Sequence, residues 1–594
     1  MKKISIFIAA AILSPLAFHL SPCQAQQEGA YNESVVVKGS YRPTIEQAEK
    51  INFPAQITDT LGRMEHDFRY SITPTRLKAL YEPSRIKAAR IVGEPATKLY
   101  NNYLRLGFGN YWTPMADLYW SSTRDKKKTY GLRVNHLSSW DRLPDYGPNH
   151  FGNTGVTLFG KYIIGEKVQL STDLGYEHDH NIYYGFHDTT LAAWRTGYTR
   201  DSISIKDYRA SYNVATWNFG LKNMQLDPYK LGYSADLHLS DLWATWGQNE
   251  LNLNLSGDIR YGFEMMRQYK GVAYLHMEWD AYTNSLRLGD KMPLGYVLPA
   301  VQDTLRGWSN IVKANPYVDF IFSGLQFHAG LTAAWDAYTT DTATTFRLFP
   351  DVVVSKKLLY DRLALSVGAT GGIEANSLNT IRMVNPYIAP GSEMRATRHY
   401  DFRGSARWSI SRKLEADAEI NYQLLRDDLT FTLNPLYALN NVYSPLYVDN
   451  NRLTIGANVT FVNDELLTLR AGGHYYAYGA VDYNDSTFNS QLSDLNSPLY
   501  RPDWDALVSA DVNYHDRWLF HLEGRLLGSM HADADLTLPM RYGIAAEVEY
   551  RHNRALSFFL RMDNLAFQRY YLWANYPSQR ALFILGLTYT IPHK

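Results

Sequence analysis

From Tyr100 to the C-terminus, apolar and polar residues take turns with a period of two. Leu104, Leu106 and Phe108 alternate with Arg105, Gly107 and Gly109, and Ala235, Leu237 and Leu239 with Asp236, His238 and Ser240. Leu251, Leu253 and Leu255 alternate with Asn252, Asn254 and Ser256, and Ile544, Ala546, Val548 and Tyr550 with Ala545, Glu547, Glu549 and Arg551. Successive side chains of a strand point to opposite faces, so each run predicts a strand with one greasy and one hydrophilic side. No long amphipathic helix pattern interrupts the series. The last stretch is the clearest: Phe583, Leu585, Leu587, Tyr589 and Ile591 share an apolar face, while Ile584, Gly586, Thr588 and Thr590 share a small, mostly polar one.

A soluble sheet would bury the greasy face against a second layer. A transmembrane barrel turns it to lipid and gives the polar face to a wet lumen, where Arg105, Glu547, Glu549 and Arg551 can be hydrated or paired. In a bilayer the final strand has no second layer, and pairing with the first strand is what removes its free edge. A propeller would repeat a motif every ~40–50 residues, and the chain shows no such period.

The connections sharpen the picture. Asp125 to Lys128, Ile164 to Lys167, Val462 to Glu465 and His515 to Arg517 are short and suit turns. Asp141 to His150, Asp179 to Asp207, Asn376 to Thr397 and Asn484 to Asp503 are longer and rich in Tyr, Asn, Asp, Pro and Gly. Short periplasmic turns facing long extracellular loops is the outer-membrane asymmetry. The expected fold is an all-β, antiparallel transmembrane barrel over 99–594 with an even number of strands, between 16 and 22.

Composition agrees. The 45 Tyr and 14 Trp in 594 residues suit aromatic girdles, and the negative mean hydropathy suits a wet lumen. The 59 basic and 59 acidic residues cancel, which removes any charge argument for nucleic acid. Lys2 and Lys3 precede the apolar core Ile6 to Leu13, and small residues reach Ala25, which predicts a secretory signal peptide over 1–25. Cleavage there removes Cys23, the single cysteine, and with it thiol and disulfide chemistry. Residues 26–98, with Pro43, Pro54, Pro74, Pro83 and Pro95, read as an extended arm in the periplasm or threading the lumen.

Met562, Asp563, Asn564 and Leu565, then Arg569, Tyr570 and Tyr571, then Tyr576 and Pro577 before a closing strand with Gly586, Leu587 and Tyr589, resemble the end of TonB-dependent receptor barrels. The Gly586, Tyr589 and Ile591 spacing is also similar to the terminal signal that such barrels present to the barrel assembly machinery. Ile584 departs from it, standing where a polar residue is preferred. Val35, Val36, Val37, Lys38 and Gly39 resemble the start of a receptor plug or a contact segment for TonB. The span from 26 to Tyr100 is short for a complete plug, so the resemblance implies a receptor-like barrel without one. It implies a receptor or channel for a solute at the outer membrane of a Gram-negative cell envelope. Its partners would be outer-membrane lipid, the assembly machinery, and TonB or other surface proteins. The alternative is a structural or assembly subunit that conducts nothing.

Candidate chemistry is sparse. His178 and His180, with Asp179, His187 and Asp188 nearby, offer two imidazoles without an evident third metal ligand; His531, Asp533 and Asp535 could take calcium. His521 and Glu523 share a lumen face without a nucleophile, and no nucleotide loop or nucleophile elbow is present, so neither enzyme activity, cofactor nor metal is expected. Asn441 to Asn451, with Tyr443, Tyr447 and Asp449, could contact sugars at the rim.

Overall fold

The computed structural model describes residues 102–591 apart from short stretches in turns and loops. The predicted signal peptide, the arm 26–98 and the Val35–Gly39 segment lie outside the described residues. The main sheet holds 23 strands, of which the two-residue Asp482–Tyr483 only edges the strand Tyr443–Asn463. The remaining 22 pair antiparallel, each with its neighbour in the chain, and the first, Asn102–Gly109, pairs with the last, Leu582–Ile591. The barrel is closed, at the upper end of the expected strand count.

Closure follows from the alternation. Across the seam Leu104, Leu106 and Phe108 oppose Tyr589, Leu587 and Leu585. Leu585, Leu587, Tyr589 and Ile591 all lie exposed on the outside. Ile584, the departure noted above, points inward and is fully buried against Met115, Leu137, Phe559 and Leu582. A small apolar cluster at the seam explains why a polar residue is not needed there. The Phe559 ring lies over the two seam glycines, Gly107 and Gly586, and carries the Arg105 guanidinium 3.9 Å from its centroid. A β-carbon at Gly586 would collide with the Leu106 carbonyl oxygen and that ring. Gly586→Ala is expected to cost about 1–3 kcal/mol through overpacking. The temperature at which the folded band disappears in semi-native electrophoresis should fall; an unchanged temperature would contradict the close fit.

The outer face carries exposed Trp120, Trp408 and Trp518 towards one rim and Trp243, Trp308 and Trp335 towards the other, with Leu158, Leu174, Leu255, Val352, Val367 and Val508 between. Those are two interfacial girdles and an apolar belt. The inner face holds ion pairs. Arg105 meets Glu547 at 2.5 Å, Lys313 meets Glu278 at 3.0 Å, Arg347 meets Asp336 at 3.2 Å and Arg470 meets Asp511 at 2.7 Å. His328 directs one ring nitrogen at Asp319 (2.7 Å) and the other at Asp351 (3.0 Å), and donates to both whenever the ring carries two protons.

The two rims differ as expected. Connections at the periplasmic rim run from two residues (323–324) to eight (224–231). The opposite rim has three short connections, 110–112, 245–247 and 339–344, and eight longer ones, 140–150, 183–208, 288–303, 376–395, 434–442, 479–503, 528–540 and 564–581. The short α-helices α1 (Asp188–Trp194) and α2 (Leu378–Val384) lie in two of these. The strands Leu414–Leu433 and Tyr443–Asn463 are far longer than the ~9–11 residues a membrane crossing needs. Their register shifts between Leu425 and Asp428, with Asp427 in a left-handed conformation at φ 53°. Such a bulge bends a hairpin. Beyond it Phe431, Tyr443, Leu446 and Val448 are buried, so this hairpin joins the structure over the mouth.

Candidate functional site

The largest hydrophobic core of the described residues lies in the extracellular connections. It draws on Tyr146, Tyr183, Tyr184, Phe186, Ile388, Tyr437, Tyr443, Tyr500, Trp573 and Tyr576, among others. Tyr183 and Tyr443 are fully buried. The reason is geometric. Each connection is too short to bury its own aromatics, but many converge on one opening, and together they enclose a core.

Hydrogen bonds fix the convergence. Asn441 Nδ2 donates to the Tyr183 carbonyl (3.0 Å), and the Tyr183 hydroxyl donates to the Ile388 carbonyl (3.0 Å). The Tyr443 hydroxyl donates to Ala574 (2.7 Å), Tyr184 to Pro577 (2.9 Å) and Tyr576 to Asn441 (2.5 Å). Backbone joins backbone as well: Ala389 N–H donates to Tyr443 and Tyr443 N–H to Tyr387. Tyr576 is the hub, stacked on Tyr387 at 3.5 Å between centroids and edge-on to Tyr184 at 5.0 Å. Gly185 gives that ring its space, since a β-carbon there would strike it. Burial pushes the Tyr387, Tyr437 and Tyr500 phenols above their ordinary titration range, so these hydroxyls stay neutral.

Tyr183 follows the fifth strand, Val168–Ile182, and Asn441 follows the fifteenth, Leu414–Leu433. Ten strands apart in a ring of 22 is nearly diametric. Their hydrogen bond therefore bridges the mouth, and the connections form a lid over the lumen.

The α2 segment bolts the lid to the wall. Glu250, on the strand Gln248–Met265, accepts from the Leu378 N–H (2.5 Å) and the Asn379 N–H (3.2 Å), while Ser377 caps Thr380 N–H. A carboxylate at a helix start meets both free donors and a favourable dipole. Arg382, on the same helix, reaches Asp179 at 2.8 Å, both side chains buried, and lies over the Tyr212 ring at 5.3 Å.

Solved structures supply the comparison. The chain superposes on the ferric-catecholate import receptor Fiu of E. coli K12 with a TM-score of 0.59 at 13% identity, covering 83% of this chain and 82% of that one. It superposes on the ferric enterobactin receptor PfeA of Pseudomonas aeruginosa with a TM-score of 0.58 at 13% identity, over 83% and 80%. The FrpB iron transporter of Neisseria meningitidis gives 0.58 at 9% identity, over 82% and 81%. The fold is that of a TonB-dependent-receptor-like outer-membrane barrel. No family model matches the sequence, and no curated protein matches it. At these identities the likeness is one of architecture.

The candidate residues of this receptor-like barrel fall into place unevenly. His178 and His180 lie with their rings 5.9 Å apart, while Asp179 points to the opposite face and pairs with Arg382. His187 stands at the start of α1 against Tyr146, and Asp188 begins that helix. His531 bonds Thr537 in a two-strand tip, with Asp533 and Asp535 exposed nearby. His521 pairs with Asp511 at 2.6 Å, and Glu523 with Arg525. Among the described residues no group of three or more His, Cys, Asp or Glu is arranged to hold a metal ion. Asn441, Tyr443 and Tyr447 are a correction: they are buried, and Tyr443–Asn463 is a strand running into the lid, not an exposed rim for sugars. The lid core itself was missed. Its only trace in the sequence is the density of Tyr in the long connections.

Proposed function

We propose that the chain is a gated receptor-type barrel that admits a solute through the outer membrane. Support comes from one observation: a closed, ion-paired lumen of 22 strands under a bridged mouth, in the architecture of Fiu, PfeA and FrpB. Those proteins are named for the import or transport of iron or its chelates, and a further match, OprC, for copper. Passage of a solute through the lumen is the property we carry over; the metal is not. On this reading the lid is the outer gate, the arm 26–98 narrows the inner side, and Val35–Gly39 is the segment that TonB would touch.

A second reading is favoured by the lid alone. A mouth held by buried tyrosines and interlocking hydrogen bonds suits a non-conducting subunit that docks other surface proteins.

Planar-bilayer recording separates the two. The gated reading expects low, flickering conductance from the full chain and a rise on deleting residues 26–98. Unchanged conductance in that deletion removes the arm from the gate. Silence from every variant, with partners retained through gentle purification, favours the docking subunit.

A further inference from the structure

The buried Arg541 has no counter-ion among the described residues. Arg541 opens the strand Arg541–Arg551 at the extracellular end, is 7% exposed, and leaves its Nη1 buried without a hydrogen-bond partner. The Tyr570 ring lies beside it, 5.9 Å from the guanidinium carbon to the centroid. Two other buried arginines are treated differently. Arg382 has Asp179 at 2.8 Å and Arg561 has Asp563 at 3.3 Å. An arginine keeps its proton in any protein environment, so it has no neutral form to retreat to. An unpaired buried ion costs several kcal/mol, and a fold tolerates one where something outside the chain supplies the opposite charge.

The surroundings offer room for that. Arg541 lines a cavity under Trp573 that leaves about 90 Å³ open to the centre of a water-sized sphere, several times what one buried water requires. Leu429, Phe431, Leu499, Met530 and Leu572 make much of its wall apolar, which strengthens any charge interaction inside. A second cation shares the cavity. Arg452 donates through Nε (2.8 Å) and Nη2 (2.6 Å) to Gln423 Oε1, a neutral acceptor, and forms no ion pair among the described residues. The third, Arg501, is already taken by Asp428 at 3.1 Å. Glu374 also lines the cavity, yet it is out of ion-pair range of both Arg541 and Arg452.

We propose that this cavity binds a small oxyanion, a carboxylate or a phosphate, with the Arg541 guanidinium as its anchor and Arg452 as the second positive wall. A planar fork of donors suits both ions, since each offers two oxygens in one plane. The site is independent of whether the barrel conducts. It would place an anion, or the anionic end of a larger solute, directly beneath the lid.

Calorimetric titration of the full chain in a neutral detergent tests this, with sodium phosphate or sodium acetate added against sodium chloride at constant ionic strength. The expected result is saturable binding of one ion per chain, and the tighter ion names the class. Arg541→Gln should weaken it roughly tenfold or more, the loss expected for a charged hydrogen-bond partner. Arg452→Gln should weaken it less and serves as the second variant should Arg541→Gln fail to fold. In chloride alone, Arg541→Met should unfold at a higher temperature than the parent, because it removes an uncompensated charge. Absence of saturable binding of either ion, equal affinity in Arg541→Gln, or a lower unfolding temperature for Arg541→Met would each overturn the assignment.

Discussion

Tyr576→Ala is expected to open the lid without unfolding the barrel. The ring is buried, stacks on Tyr387, meets Tyr184 edge-on and hydrogen-bonds Asn441. Three other connections therefore lose one shared partner. Large-to-small changes of a buried aromatic cost about 3–5 kcal/mol. That loss falls on the lid, because the strands are held by their own ladders. Amide exchange in 183–208, 376–395 and 434–442 should accelerate by roughly two to four orders of magnitude, since local opening follows local stability. Exchange in the strands should not move. Uniform acceleration over barrel and lid would show that the two are one cooperative unit.

The second large effect is expected at the bolt. Removing one member of a buried ion pair costs about 3–5 kcal/mol, mostly because its partner is left charged and alone. Asp179→Ala takes from Arg382 its ion-pair partner beneath the lid and leaves it Asn379 Oδ1 at 2.9 Å, the Tyr212 ring and the more distant charge of Glu250. It should release α2, raise proteolytic cleavage within 376–395, and raise conductance if the lid is the outer gate. The double variant Asp179→Leu with Arg382→Met removes both charges and should restore most of the protection. If single and double variants behave alike, the charge pair is not what holds α2, and the two Glu250 contacts to its first turn carry the attachment.

The barrel was legible in the sequence because lipid and water impose opposite demands on neighbouring side chains. Leu104 to Phe108, Leu251 to Leu255 and Leu585 to Ile591 each state that demand locally, within one strand. Seam closure was legible for the same reason: a terminal strand greasy on one face has no alternative partner in a bilayer. The lid was not. Tyr183, Ile388, Tyr443 and Tyr576 lie in four connections far apart in the chain, and their contacts depend on which connections share an opening. No period or spacing encodes that. The polar character of those segments even pointed the other way, as with Asn441, whose amide proved to be a buried crosslink. The bulge at Asp427, which carries the hairpin into the lid, has no marker beyond an Arg-Asp-Asp run (426–428) that also suits a turn. Arg541 was equally silent, since a cation on a lumen face is ordinary until its neighbours are known.

Thiol accessibility from the outside of intact cells tests the bridged mouth most directly. Ser256 faces the lumen midway along the strand Gln248–Met265, and Asp535 is exposed at an extracellular tip. With Cys23 inside the predicted signal peptide, each introduced cysteine is the only one expected in the exported chain. The lid account predicts that a bulky polyethylene-glycol maleimide modifies Asp535→Cys rapidly and leaves Ser256→Cys untouched until Tyr576→Ala is added. Rapid modification of Ser256→Cys in the otherwise unaltered chain would contradict it.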